Sequence, residues 1–248
     1  MNRVVTSFNE EGYKRYGEKF IETYLRFWPT NVGLTVYYEG DNFPFTTGLS
    51  WRPIEEVEFL KDYMDSLLFP IMHGVVGNKY DINFDARMGR KAFIEMHAMK
   101  HYGGKVFWVD ADTVTNAPVP ETLLDDLLPS DAFNCYLGRD GWYYTESGFI
   151  GFNAGHPMAS RFRKNYLHTF ITGVVFTLQQ WHDCAAFDAV RHILGNGPEF
   201  VNLAAQLPHG TMHPQASCIL GKYMWHLKGD RKDTKQLRPG DIVVPWAT

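Results

Sequence analysis

The sequence is poor in cysteine: Cys135, Cys184 and Cys218 are its only three among 248 residues, far apart and without a CxxC spacing. Neither a disulfide framework nor a zinc knuckle is expected, and a reducing, cytoplasmic setting fits this usage. Long hydrophobic runs are missing as well. No window approaches the length of a membrane span, and the opening MNRVVTSFNEEGYKRYGEKF reaches acidic residues by position 10 without an apolar leader core. A soluble, unprocessed chain with no membrane span is expected. Basic excess is absent too. The formal net charge is −4, with 24 Lys and Arg against 28 Asp and Glu, which argues against a surface built mainly to neutralise nucleic-acid phosphates. No repeat period, low-complexity tract or long Gly/Ser linker separates two halves.

What is present can bury a substantial core. With 45% hydrophobic residues, the chain reads as a single domain over 1–248. Aromatic residues make up 15%, including seven Trp and thirteen Tyr, more than a minimal core needs. Such rings also stack on sugar faces or bases. RVVTSF reads as a β-branched strand, and EGYKRYGEKFIETYLRFW then sets Tyr13, Tyr16, Phe20, Tyr24 and Phe27 at mostly helical spacings up to Pro29. VGLTVYYEGD supplies a second strand ending in turn residues, and Pro53 is placed to open a helix over PIEEVEFLKDYMDSLL. RMGRKAFIEMHAMKHYGG forms another helix stopped by paired glycines, followed by the strand KVFWV. A short helix near PETLLDDLL, strands in AFNCYLG and GFIGFN, and helices near PMASRFRKNYLHTF and QQWHDCAAFDAVRHIL complete the reading. Strands alternating with helices predict an α/β fold with a mixed, mostly parallel sheet flanked by helices, and ligands at the carboxyl ends of its strands.

The stretch KVFWVDADTVTNAPVP carries an apolar strand straight into Asp110 and Asp112. Two carboxylates one residue apart at a strand end can turn toward one hard cation, for which Mg²⁺ or Mn²⁺ suits the oxygen ligands. The same residues also suit an Asp-rich turn that caps backbone amides.

Taken in chain order, TSFNEEGYKRYG, VFWVDADT, ESGFIGFNAGHP and WHLKGDRK cover most of the sequence, and together they resemble a nucleotide-sugar glycosyltransferase of the GT-A (Rossmann-like) fold. The resemblance implies a nucleotide-binding half over approximately 1–112 and an acceptor and metal-completing half over 113–248. It implies transfer of a sugar, hexosyl in first place, from a nucleotide-diphosphate sugar, a UDP-sugar favoured, with Mn²⁺ or Mg²⁺ bridging the diphosphate to Asp110 and Asp112. By the same resemblance His226 in WHLKG is the third metal ligand, and Lys228, with Arg231 or Lys232 behind it, places positive charge near the departing diphosphate. No Pro-Trp follows the lysine, a departure that weakens the Lys228 assignment.

The resemblance further places Thr6, Ser7, Phe8, Glu39, Asp41 and Ala111 around the donor, with Arg87 favoured over Arg90 beside Lys91 as a basic contact. Asn153 is a candidate for a donor-sugar hydroxyl. Trp142, Tyr143 and Glu146 are candidates for the acceptor side. Asp183, at a predicted helix start beside His182, is the candidate base for the acceptor proton; a helix N-terminal residue stabilised by the macrodipole is the plainer account of it. Acceptors of several kinds remain open: a glycan, a small molecule, a protein or a modified nucleic-acid base. Two alternatives stand beside this reading. FWVDADTVT also satisfies the strand-D-x-D-x-T opening of haloacid dehalogenase-like phosphatases, in which the first Asp is a nucleophile. An inactive nucleotide-sugar-binding module would keep the fold without turnover.

Overall fold

The first strand, β1 (Asn2–Asn9), takes its place because its β-branched residues feed two cores at once: Val4 packs into one and Val5 into the other. A computed structural model describes residues 1–41, 43–66, 82–139, 143–211, 213–229 and 232, with side chains described for all of these but 82–87. Strands β2 (Val32–Glu39), β3 (Ser50–Pro53) and β4 (Lys105–Val109) join β1 in parallel, and β6 (Asn134–Leu137), β7 (Glu146–Asn153) and β8 (Phe200–Asn202) extend the same sheet in the order β3-β2-β1-β4-β7-β6-β8. Strand β7 is antiparallel to both β4 and β6, so the sheet is mixed with a parallel side.

Alternation along β4 explains the layers. Val106 and Trp108 enter a core shared with α3 (Ile82–Tyr102), α5 (Ala159–Ile171) and α6 (Asp183–Ile193), where Phe93, Phe162 and Phe187 are fully buried. Phe107 and Val109 enter the opposite core, with Phe20 and Tyr24 of α1 (Glu18–Phe27) and Leu124 of α4 (Leu123–Leu127). A strand covered on both faces reads as one continuous apolar run. Each buried ring of this kind contributes roughly 1.5–3 kcal/mol.

Two local expectations change. Pro53 closes β3 at the sheet edge, in extended backbone beside Tyr38 of β2, and precedes a single 3₁₀ turn as its N-cap instead of standing in the first turn of an α-helix. A 3₁₀ turn over Ile54–Glu56 and the helix α2 (Leu60–Ser66) follow. Proline is tolerated there because an edge strand leaves its N–H side unpaired. The helical run after β1 is also not uniform: an α-turn over Glu10–Gly12 passes through a π-helical segment, Tyr13–Gly17, before α1. Gly12 lies against Tyr16, and a Cβ at that position would stand 2.6 Å from its hydroxyl.

Among the described residues a second sheet has two strands, β5 (Thr113–Thr115) and β9 (Met224–His226), in antiparallel register with Thr113 opposite His226. The short helix α7 (Pro214–Ser217) leads into that return. The chain therefore comes back, more than a hundred residues later, to the end of β4.

Candidate metal and donor site

Asp110 and Asp112 leave β4 in a tight turn: the Asp110 N–H donates to the Gly148 carbonyl at 2.9 Å, and Thr113 N–H donates to the Asp110 carbonyl at 2.9 Å. The β5–β9 ribbon then fixes His226 beside them, reinforced by Leu227 N–H donating to the Asp112 carbonyl at 2.9 Å. His226 Nε2 lies 2.9 Å from Asp112 Oδ1 and 3.5 Å from Asp110 Oδ2. One ligand atom from each of the three residues lies within 4.8 Å of the others. Two carboxylate oxygens and an imidazole nitrogen suit Mn²⁺ or Mg²⁺, with manganese the better match to the nitrogen.

The surroundings fit a cation at this point. Burial would raise the Asp112 carboxyl, but His226 and Lys232 overcome it and hold the group well below the usual carboxylate range. Burial likewise works against a charged His226, and Asp112 and Asp110 reverse the balance and raise it. Gly148 makes room for the imidazole, since a Cβ there would stand 2.6 Å from His226 Cε1. On the far side of the ring, Glu146 Oε1 lies 3.9 Å from Nδ1. Gln215 lines the same small space, 2% exposed, with neither amide atom hydrogen-bonded to protein. A histidine ligand oriented from behind by a carboxylate is a common means of fixing its tautomer.

Lys91 is the second centre of charge. It donates to Asp110 Oδ1 at 3.1 Å and to the Ser147 carbonyl, lies 3.5 Å from Asp183 Oδ2, and sits 5.1 Å from the Trp108 ring centre. Trp108 Nε1 donates to the same Asp110 oxygen at 2.6 Å. Burial opposes the charge on Lys91, but Asp110, Asp183 and Glu95 outweigh it and keep the amine protonated. Glu95, one helical turn on, is pushed well above its ordinary range chiefly by burial, against the opposing pull of Lys91.

From this cluster a groove of about 480 Å³ runs over the ends of β1, β2 and β4. Ser7, Phe8, Glu39, Lys91, Asp110 and Ala111 line it, and Arg90 joins them with Nη1 donating to Glu39 at 2.6 Å. Arg15, Tyr16 and Lys232 line it too. Thr6 is fully buried in β1, and Asp41 is exposed beyond β2; neither lines the groove. The side chain of Arg87, and Trp142 altogether, lie outside the described residues.

Four placements differ from the sequence reading. Asn153 pairs with Lys105 at the opposite end of β4 from Asp110, and its amide donates to the Ser130 and Ala132 carbonyls. Antiparallel β7 carries it away from the groove. Glu146, expected at the acceptor, is 5% exposed and backs His226, with Lys228 at 2.6 Å. Lys228 is thereby committed to Glu146, while Lys232, six residues past the histidine, reaches Asp112 Oδ2 at 2.7 Å. Asp183 does begin a helix with His182 as its N-cap, but it is 2% exposed and faces Lys91. A base for an acceptor proton must be reachable by the acceptor, and in this structure the Asp183 carboxylate is closed off, 3.5 Å from Lys91. Trp108, Gly148 and Gln215 were not anticipated. A tryptophan two residues before the carboxylate on a strand was the signal available for Trp108, whereas Gly148 and Gln215 act only through chain segments remote in sequence.

The phosphatase alternative required the residues before the aspartates to form a separate domain. Instead β1 and β2 belong to the same sheet as β4, with Val4 paired to Phe107.

No family model matches the sequence, and no curated protein matches it. Solved structures do. The apo form of mouse xyloside xylosyltransferase 1 superposes with a TM-score of 0.50 at 10% identity, over 82% of this chain and 85% of that one. The apo bifunctional glycosyltransferase WbbM gives a TM-score of 0.53 at 14% identity over 82% of this chain, which spans 38% of that protein. At such identities the likeness is one of fold, and with the mixed sheet of seven strands flanked by helices it establishes that this chain has the α/β GT-A fold.

Proposed function

We propose that the protein is a metal-dependent glycosyltransferase that takes a sugar, a hexose first among the candidates, from a nucleotide-diphosphate sugar, with UDP as the favoured nucleotide. The observation that carries this reading is the convergence of Asp110, Asp112 and His226 at the head of a groove containing Lys91, Arg90 and Lys232. Bound there, Mn²⁺ or Mg²⁺ supplies a Lewis acid that offsets the charge growing on the leaving diphosphate. The chain's own groups act around it. Lys91 is held protonated and rigid by Asp110 and Asp183, and offers fixed positive charge without reorganisation. Lys232 needs only to swing from Asp112 to meet a phosphate oxygen. Arg90 can shift between Glu39 and an anionic ligand, while Ser7, Phe8 and Ala111 form the apolar and hydroxyl floor of the groove.

A panel of UDP- and GDP-sugars, offered with Mn²⁺ and followed by NMR for hydrolysis or transfer, tests the proposal. Metal-dependent release of nucleoside diphosphate is expected for at least one donor. Hydrolysis of simple phosphomonoesters without nucleotide-sugar binding would overturn it, and donor binding without any turnover would leave a binding module.

A further inference from the structure

In the proposed function, on which this inference rests, Nε2 of His226 is a metal ligand, so the one proton of the neutral imidazole sits on Nδ1 and needs an acceptor. Nε2 faces Asp112 and Asp110 at 2.9 and 3.5 Å, which turns Nδ1 to the back of the site. On that side Glu146 Oε1 is 3.9 Å away, beyond direct hydrogen-bond reach. The carboxylate is not free to close the gap. Its Oε2 is paired with Lys228 at 2.6 Å and lies 3.5 Å from Arg139, and its Oε1 accepts from the Gly148 N–H at 3.2 Å.

Behind the ring lies a cavity of about 20 Å³, lined by Glu146, Gln215, Trp225, His226 and Lys228 among others. A single water needs about 10–15 Å³ of such space and roughly two to four polar partners, so the cavity takes one water and not two. Gln215 is the partner whose burial nothing else explains. It is 2% exposed, and among the described residues neither amide atom meets a hydrogen-bond partner. A buried amide left in that condition carries its full desolvation cost. The chain brings Gln215 there on the segment that also delivers the ligand. Pro214 opens α7, Cys218 N–H donates to the Pro214 carbonyl at 2.9 Å, and a 3₁₀ turn over Ile219–Lys222 then leads into β9 and His226.

We propose that Gln215 is a positioning residue for His226, acting through one buried water that joins its amide, Glu146 Oε1 and His226 Nδ1. The water accepts from the Nδ1–H and donates to Glu146 Oε1, spanning the 3.9 Å that the carboxylate alone leaves open. It keeps one lone pair and one hydrogen, and either matches Gln215, because an amide offers both an N–H and an oxygen. About three hydrogen bonds is the usual count for a buried water. The neutral amide also suits its place: it anchors the water without adding charge behind the ring, where the Glu146 carboxylate is already answered by Lys228. Removing Gln215 leaves the water one partner short and the ring free to tilt.

A high-resolution crystal structure of the metal-free full chain, with Mn²⁺ titrations of folded variants by electron paramagnetic resonance, tests this. The wild type should hold one ordered water within about 3.2 Å of all three groups. Gln215→Met keeps the length of the side chain without its amide, and should bind Mn²⁺ about tenfold or more weakly, as expected when a ligating histidine loses an outer partner. Gln215→Asn keeps an amide that a second water can extend, and should stay within about threefold of wild type. Both variants reshape the cavity, so a role in packing alone would weaken them alike. A dry cavity in the wild type, a direct bond from Nδ1 to Glu146, Gln215→Met affinity within about threefold of wild type, or equal losses in the two variants would each overturn the proposal. The wild-type density decides even if Gln215→Met does not fold. The water is read without metal, so a wild type that holds it and binds no Mn²⁺ counts against the metal centre alone.

Discussion

Replacing Gly148 by alanine should damage the metal site through one methyl group. A Cβ at Gly148 would stand 2.6 Å from His226 Cε1, 2.7 Å from Nδ1 and 3.2 Å from Glu146 Oε1. Carbon atoms pack best at ~3.5–4.0 Å, so the imidazole must retreat by about 1 Å. Its backbone cannot follow, because the β5–β9 register and the Leu227 N–H to Asp112 carbonyl bond hold it. Ligand distances at a metal tolerate only about 0.2 Å of error. Disturbing a ligand's orientation typically lowers metal affinity ~10–100-fold, or about 1.4–2.7 kcal/mol. Gly151→Ala is the control, since its Cβ would meet Phe107 Cε1 at 2.6 Å and Cys135 Sγ at 2.7 Å, inside the core. Both variants should lose roughly 1–3 kcal/mol of stability to overpacking. Only Gly148→Ala should also lose Mn²⁺ affinity, measured by electron paramagnetic resonance titration at a temperature where both are folded. Wild-type Mn²⁺ binding in Gly148→Ala would refute the placement of His226 in the metal shell.

Asp112→Asn should abolish Mn²⁺ binding, and it should also lower metal-free stability by about 1–3 kcal/mol, because it leaves His226 and a partly exposed Lys232 without their counter-charge; a urea melt without metal that matches wild type would contradict the buried ion pairs. At Glu146 burial raises the carboxyl pKa, but Lys228, His226 and Arg139 outweigh it and draw the group down to about 2. A depressed folded value stabilises above the unfolded value of ~4.3 and is lost as pH falls through that range toward 2, with an upper limit of about 3 kcal/mol. Stability should therefore drop between about pH 5 and about pH 2, and less steeply in Glu146→Gln; equal slopes in the two proteins would remove Glu146 as the cause. Burial pushes the thiols of Cys135 and Cys218 up to about 12 and about 11 and raises Cys184 as well. All three should react slowly with a thiol reagent in the native protein and rapidly in denaturant, and prompt native labelling of Cys135 would contradict its packing.

The parallel side of the sheet was legible because its strands are buried on both faces and read as short apolar runs closed by turn residues. VFWV predicted β4 and, with Asp110 and Asp112 attached, its functional edge. The short strands β3, β5, β8 and β9 were not legible. Three or four residues carry too little periodicity to stand out, and their pairing partners lie far along the chain: Asn134 of β6 with Phe200, Thr113 of β5 with His226. Pro53 misled for a related reason, since proline suits both a helix start and an edge strand.

By itself the sequence determined the class of fold and the carboxylate pair, because residue type and local alternation fix which strand ends carry acids, while His226 was singled out by the resemblance of WHLKG to a glycosyltransferase motif. Tertiary structure decided the division of labour among charges. Which of Lys228 and Lys232 meets Asp112, whether Asp183 is open or closed against Lys91, that Glu146 lies behind His226, and that Asn153 lies outside the groove all depend on strand direction and on the β5–β9 return. A one-residue choice along a strand changes the face, and an antiparallel neighbour changes the end, so these assignments are properties of pairing between distant segments.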